Sequence, residues 1–152
     1  MLIIGAAWGY HEYARKPQPR PPTVERSESS PARVPEVESD DGGIAELFRT
    51  RRSDVIVEAA GVVLKVLPDD LDTSDGSSRH QRFTVQFPSG RTVLIAHNID
   101  VADRVPLKAG DRVRFRGEYE WSDRGGTIHW THHDPKGRHP DGWIQHAGQT
   151  YQ

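Results

Sequence analysis

Residues 80 to 97, HQRFTVQFPSGRTVLIAH, decide the fold. Apolar and polar side chains alternate through residues 80 to 87, which predicts a strand with one buried face. The turn Pro88-Ser89-Gly90 follows it, and the continuous apolar middle of residues 91 to 97 predicts a strand buried on both sides. The stretch therefore predicts a β-hairpin.

One further strand is predicted before this hairpin and two are predicted after it. Residues 55 to 67, VIVEAAGVVLKVL, form a long β-rich run in which Gly61 marks a bulge or a sharp coil. Residues 112 to 121 alternate regularly, and the glycine turn at residues 122 to 126 returns the chain as a strand over residues 127 to 131. The acidic, turn-rich residues 68 to 79 predict a mobile loop between the first two strands.

Shorter elements are predicted at both ends of the domain. Ile44, Leu47 and Phe48 have the spacing of an amphipathic helix that ends near Arg51, and residues 143 to 151 read as a small hairpin. Residues 43–152 are therefore predicted to be all-β: a five-stranded OB-like Greek-key barrel with a short N-terminal helix and a C-terminal hairpin. In barrels of this kind, ligands contact strands two and three and the loops joining strands one to two and four to five.

The N-terminal residues differ in character from the domain. Residues 1–16 begin with the apolar run MLIIGAAWGY and end with aromatic and basic residues, which predicts the remnant of a membrane or signal anchor that is too short to span a bilayer. We expect the native chain to begin upstream with a complete anchor; the alternative is a frayed apolar tail. Residues 17–42 hold six of the eleven prolines and predict a disordered, Pro-rich linker.

Composition narrows the chemistry that the domain can perform. The chain has no cysteine, which excludes thiolate catalysis, disulfides and cysteine-ligated metals and leaves histidine and carboxylate as metal ligands. From Gly43 onward, 15 Lys and Arg balance 15 Asp and Glu. This balance argues against a protein that coats nucleic acid through overall positive charge, although local basic patches remain open.

Several stretches resemble one bacterial family. They are SRHQRF at residues 78 to 83, IAHNID at 95 to 100, GEYEW at 117 to 121, IHWTHHDPKGRHPDGWI at 128 to 144 and the QTY end at 149 to 151. Together they resemble the family catalogued as domain of unknown function 3465, over about residues 57–152. The resemblance implies a small protein of the bacterial cell envelope, on the periplasmic side of the inner membrane or secreted. It implies no established activity.

Histidines concentrate in residues 127 to 146, which hold five of the eight histidines and two of the four tryptophans. If Ile128 faces the core of a regular strand, Trp130 and His132 share its side, and the residues between them face outward. His129 and His133 would then lie about 13 Å apart, too far to bind one metal ion together. A site made by either one must recruit partners from earlier strands.

Three classes of function stay open at this point, and whether the protein is an enzyme is undecided. The first is a membrane-tethered module that binds single-stranded nucleic acid or another polyanion through cationic and aromatic side chains. Its predicted contacts are Arg79, His80, Arg82, His97, Asn98, His129, Trp130 and His133.

The second class is a histidine-based nuclease or phosphodiesterase, with His80, His97 and His129 as catalytic residues. It could depend on a divalent metal held by His80, His97, His129 and Asp134. The third class is an envelope scaffolding protein in which the histidines serve packing and loop structure alone.

Overall fold

The computed structural model describes residues 41–152. The predicted anchor remnant at residues 1–16 and nearly all of the predicted linker lie outside the described residues. One helix and seven strands follow in chain order. They are α1 (Ile44–Thr50), β1 (Val55–Val66), β2 (His80–Gln86), β3 (Thr92–Asn98), β4 (Arg112–Glu120), β5 (Thr127–His129), β6 (Trp143–His146) and β7 (Gln149–Tyr151).

The first five strands close into a barrel. The sheet order is β1-β2-β3-β5-β4, and an additional pairing of β1 with β4 completes the ring. All of these pairs are antiparallel except β3 with β5, which is parallel. The predicted all-β, OB-like barrel is therefore confirmed, including its N-terminal helix and C-terminal hairpin.

The second edge of β4 carries two strands in succession. β5 pairs with residues 118 to 120 of β4, and β6 pairs with residues 114 to 116. β7 then pairs with β6, so the hairpin extends the sheet beyond the barrel. Ala147 and Gly148 connect the two strands. Their φ angles, 50° and 79°, are both positive, which is the backbone conformation that a common type of two-residue hairpin turn requires.

β1 is shared between two neighbours because it coils. Its first half pairs with β4 and its second half with β2, and Val62 takes part in both pairings. A Cβ on Gly61 would lie 2.5 Å from the Cγ1 of Val85 and 2.8 Å from the carbonyl oxygen of Gln86, so glycine permits this close approach. The bulge itself lies between Val63 and Lys65 and not at Gly61.

The core fills the barrel with side chains of one parity from each strand. β2 and β3 alternate strictly between half-buried and buried residues. The prediction that strand three is buried on both sides is therefore wrong, since Leu94 and Ala96 face outward and are half-buried. The main core residues are Val57, Ala59, Val63, Phe83, Val85, Val93, Ile95, Val113, Phe115, Tyr119, Ile128 and Ile144.

Helix α1 packs on the barrel through the fully buried Ile44. Gly43 is its N-cap, while the carboxylate of Asp41 accepts hydrogen bonds from the backbone N–H groups of Gly43 and Ala45, both at 3.0 Å. Phe48 lies 6.2 Å from the Trp121 ring, which holds the helix near the end of β4. Within residues 41–152, no helix is long and apolar enough to cross a membrane.

Candidate functional site

The histidine-rich segment leaves strand geometry earlier than predicted. β5 ends at His129 because Trp130 takes a left-handed backbone conformation, with φ of 53°. The predicted alternation stops there. Thr131, expected to face outward, is fully buried, and His132 is buried beside it, whereas Trp130 is only half-buried.

His97 lies inside the end of the barrel and has no exposed surface. Its Nε2–H donates to the carbonyl oxygen of Asp103 at 3.1 Å, so its Nδ1 accepts the hydroxyl hydrogen of Thr131 at 2.8 Å. Burial lowers the pKa of His97 to about 4, which keeps the ring neutral near pH 7. This position fits a structural side chain and does not present His97 to a ligand, substrate or metal.

Four aromatic rings pack together on the outside of the barrel. Trp130 stacks on His129 at 5.0 Å and on His139 at 4.5 Å between ring centroids. His132 meets His139 edge-on at 4.9 Å, and burial lowers the pKa of His132. We call these four side chains the ring stack; they fix one another's orientation and cover much of the Trp130 ring.

The loop from residue 130 to residue 142 is organised by Asp134, whose side chain has no exposed surface. Its carboxylate accepts backbone N–H groups from Lys136 at 3.0 Å, His139 at 3.1 Å and Arg138. Burial alone would raise the pKa of Asp134, but these hydrogen bonds and the Arg138 charge outweigh it and lower the pKa to about 2. Asp134 therefore holds this loop, and the structure does not place it as a metal ligand.

The loop is closed at its far end by a close backbone approach. A Cβ on Gly142 would lie 1.8 Å from the carbonyl oxygen of Trp130, so only glycine fits there. His133 lies at the surface, where its Nδ1 is 2.8 Å from the carboxylate of Asp141. This predicted contact residue is thus engaged within its own loop.

The predicted contacts on β2 and β3 are also engaged internally. Arg79 pairs with Asp100 at 2.6 Å, and the side chain of Asn98 accepts the backbone N–H of Asp100 at 2.9 Å. Arg82 donates to the carbonyl oxygen of Pro68 at 3.1 Å, and the backbone of His80 forms a bridge with Asp70.

Carboxylates dominate the surroundings of these β2 and β3 residues. The arginines there are Arg79, Arg82 and Arg104, and the aspartates of the adjoining loops are Asp69, Asp70, Asp72, Asp75, Asp100 and Asp103. Arg104 and Arg79 are each paired with one of these aspartates. In this region the aspartates therefore outnumber the arginines by six to three.

The structure does not gather His80, His97, His129 and Asp134 into one metal site. Within residues 41–152, the one group of metal-binding side chains whose ligand atoms all lie within 4.8 Å of one another is Glu118, Glu120 and His129. The two glutamates were missed as candidates. Their signal was in the sequence, because outward-facing residues at the end of β4 must lie beside outward-facing residues at the start of its hairpin partner β5.

The outer face of β4 carries a row of arginines before these glutamates. Arg112 and Arg114 are exposed and Arg116 is half-exposed. Trp143 of β6 lies opposite Arg116, and the guanidinium carbon of Arg114 is 5.9 Å from the Trp143 ring centroid. Glu58 of β1 pairs with Arg114 at 2.5 Å. We call the three arginines and Trp143 the β4–β6 face.

These features define a small OB-like barrel protein with a basic, aromatic strand face and a histidine–carboxylate cluster on its outer wall. The chain belongs to the family described as Protein of unknown function (DUF3465), whose family model matches residues 28–152. The match begins well before residue 57 and so includes α1. Among curated proteins, no match to the chain is found.

Proposed function

We propose that the barrel is a binding module for single-stranded nucleic acid or another polyanion, and that its contact surface is the β4–β6 face. One observation carries this proposal: three arginines project from one strand face beside a half-buried tryptophan, with the Arg114 guanidinium 5.9 Å from the Trp143 ring centroid. Cations that follow a phosphate backbone and an aromatic ring on which a base can stack are what single-strand binding requires.

Charge favours this face over the face made by β2 and β3. On the β4–β6 face, Arg114 pairs with Glu58, and the half-exposed Arg116 adds a second cation opposite Trp143. On the β2 and β3 face, Arg79 is already neutralised by Asp100. A polyanion approaching that side would meet the carboxylates of the 67 to 79 loop, and like charges repel it.

Ring availability supports the same choice. Trp130 already stacks on His129 and His139, so a base would have to displace an existing contact. Trp143 lies near the guanidinium of Arg114 and opposite Arg116 in the strand register. Stacking on such a ring contributes roughly 1–3 kcal/mol per base.

The proposal also places the module at the bacterial cell envelope, held there by residues 1–16. Its support is the apolar run at residues 1 to 10, followed by aromatic and basic residues and a Pro-rich segment. The test is flotation of the full chain with lipid vesicles. Serine at Leu2, Ile3 and Ile4 should abolish flotation, and unchanged flotation would contradict the tether.

The binding proposal is tested by salt dependence. Fluorescence anisotropy with a labelled single-stranded oligonucleotide should give a slope of log affinity against log salt of about −2, since each of three phosphate contacts contributes about 0.7. Raising the salt from about 50 to about 200 mM then weakens binding roughly 20-fold. Arg114→Gln and Arg116→Gln should each reduce the slope by about 0.7.

The control is Arg79→Gln, which removes an arginine of the same charge from the β2 and β3 side of the barrel. It should leave both affinity and slope unchanged at the β4–β6 face. A loss of binding in Arg79→Gln together with unchanged binding in Arg114→Gln and Arg116→Gln would overturn the assignment of the surface. Absence of binding at low salt would overturn the function itself.

A further inference from the structure

Glu118, Glu120 and His129 meet at the pairing of β4 with β5, on the outer wall of the barrel. Glu118 lies directly opposite His129 in the register, and Glu120 follows two residues later on the same strand face. From this convergence we infer that the three side chains bind one divalent ion of the zinc class. The inference stands on its own geometry and does not depend on the binding of a polyanion.

The distances match a metal's first coordination shell. His129 Nε2 lies 3.0 Å from Glu118 Oε1 and 3.5 Å from Glu120 Oε2. Zinc bonds of about 2.1 Å to nitrogen and oxygen place tetrahedral ligand atoms roughly 3.4 Å apart. One ion between the three atoms therefore needs only small side-chain movements.

A hydrogen bond from His129 can pair well with only one of the two carboxylates, whereas a metal ion can contact all three side chains. Imidazole Nε2 carries at most one hydrogen, and the shorter distance directs it to Glu118. Glu120, at 3.5 Å, is then left at the limit of a hydrogen bond. A dication at the centre contacts both carboxylates and the neutral imidazole at once and balances the two negative charges.

The protein holds the ligands in place before an ion arrives. Glu118 and His129 are on paired strands, and the His129 ring is oriented by stacking on Trp130. The Glu118 side chain is 11% exposed, and a carboxylate so poorly solvated favours a cation beside it. Glu120 is 51% exposed, which leaves the ion open to solvent on one side.

The ligand set selects the class of ion. Imidazole nitrogen with carboxylate oxygen suits zinc and its first-row neighbours, whereas Mg²⁺ and Ca²⁺ prefer oxygen alone. Three protein ligands leave a coordination position for water or for an anionic ligand. The arginine row ends at Arg116, two residues before Glu118 on the same face of β4, so an anion on that row would reach the ion.

The test uses the full chain without a histidine tag, freed of metal by a chelator, and titrated with Zn²⁺ by calorimetry in the absence of nucleic acid. We expect one ion per chain. Glu120→Gln and His129→Gln should each weaken binding at least about tenfold, because even the loss of a group that only supports a ligand typically costs about 10–100-fold in metal affinity. Co²⁺ bound in the same site should show visible absorption that both variants lose.

The controls are Glu58→Gln and His133→Gln, which remove an exposed carboxylate and a surface imidazole outside the cluster. Both should bind Zn²⁺ as the unaltered chain does. Glu120 is half-exposed, so Glu120→Gln should fold normally and keep the test valid. Absence of Zn²⁺ binding would overturn the inference and leave an ion-paired histidine. Binding that survives in Glu120→Gln and His129→Gln but fails in His133→Gln would place the ion elsewhere and overturn it equally.

Discussion

The imidazole of His97 and the hydroxyl of Thr131 lie 2.8 Å apart inside the end of the barrel. The two residues are 34 positions apart in the chain, and both side chains are fully buried. The second ring nitrogen donates to Asp103, so one neutral histidine joins β3, the segment after β3 and the segment after β5. His97 thus links three segments of the chain by hydrogen bonds within the core.

The first prediction concerns acid stability. The pKa of His97 is lowered by burial from 6.5 to about 4. Between pH 6.5 and pH 4, His97 therefore binds a proton in the unfolded chain but not in the folded chain. Above pH 6.5, the ionisation of His97 does not change the free energy of unfolding. As the pH drops towards 4, the free energy of unfolding should fall by about 3 kcal/mol in total. Urea unfolding at pH 7.5 and pH 4 measures the loss.

The matched variant is His97→Gln, which keeps a donor but cannot titrate. At pH 7.5 it should be less stable than the unaltered chain by roughly 1–3 kcal/mol, because one buried polar contact is broken. At pH 4 the difference should shrink by about 3 kcal/mol. A constant difference at both pH values would show that His97 does not resist protonation.

The second prediction concerns Gln81, which is fully buried on β2. Its side-chain amide donates to the carbonyl oxygen of Val105 at 2.7 Å and accepts the backbone N–H of Val105 at 2.9 Å. Gln81→Leu should leave both backbone groups unpaired in the core and lower the free energy of unfolding by roughly 2 kcal/mol or more. The control is Gln86→Leu, half-buried on the outward face of the same strand, which should change stability by less than about 1 kcal/mol.

Gln81 and His97 also show where prediction from sequence stopped. Apolar alternation correctly placed Phe83 and Val85 in the core, and the five strands and two hairpins followed from it. The same parity places Gln81 and His97 inside, yet a polar residue type suggested a surface role. Pattern alone cannot reveal that a backbone group 24 residues away will satisfy a buried amide.

The candidate site was predictable only in part, for a related reason. The conformation of Trp130 reverses the faces of the residues that follow it, and a left-handed tryptophan is too rare to be assumed from sequence. In contrast, the parity of β4 and the short turn after it were both correctly predicted. They suffice to bring Glu118 beside His129, so that pair could have been predicted.

The third prediction concerns Gly142, where the loop from residue 130 returns to the barrel. A Cβ there would lie 1.8 Å from the carbonyl oxygen of Trp130 and 2.6 Å from that of Arg116. Because both neighbours are backbone, Gly142→Ala should destabilise the domain by at least roughly 1–3 kcal/mol in thermal or urea unfolding.

The control for Gly142 is Gly137→Ala in the same loop. A Cβ on Gly137 meets no atom within 4 Å, but its φ of 62° is unfavourable for alanine. That strain should cost about 1 kcal/mol. Equal losses in the two variants would show that the close approach at Gly142 is not what limits substitution.

The fourth prediction concerns Glu58, which pairs with Arg114 at the edge of the β4–β6 face. Glu58→Gln removes a negative charge from the surface that we propose binds polyanions. Exposed pairs of this kind are worth about 0.2–1 kcal/mol, so oligonucleotide affinity should rise between roughly 1.4-fold and 5-fold at low salt. The gain should vanish at about 1 M salt. A fall in affinity would mean that Glu58 itself contacts the ligand.

The last prediction concerns Asp134, whose carboxylate accepts the N–H groups of Lys136, Arg138 and His139. In Asp134→Asn the side-chain nitrogen cannot accept, so part of this set is lost and the loop should loosen. His139 should then leave the Trp130 ring, from which it is now separated by 4.5 Å between centroids. The measurement is the NMR shift of the His139 ring protons, which should lose the ring-current displacement that the stacked indole causes.

Titration of the unaltered chain should show the same dependence. The pKa of Asp134 is lowered from 3.8 to about 2, so its contribution to stability is present above pH 3.8 and is lost as the pH falls through 2. The nuclear Overhauser contact between the His139 and Trp130 rings should therefore persist down to about pH 3 and be lost below that. Asp123→Asn is the control, because Asp123 is an exposed carboxylate in the turn between β4 and β5, outside this loop. An unchanged His139 shift in Asp134→Asn would show that ring stacking alone holds the loop.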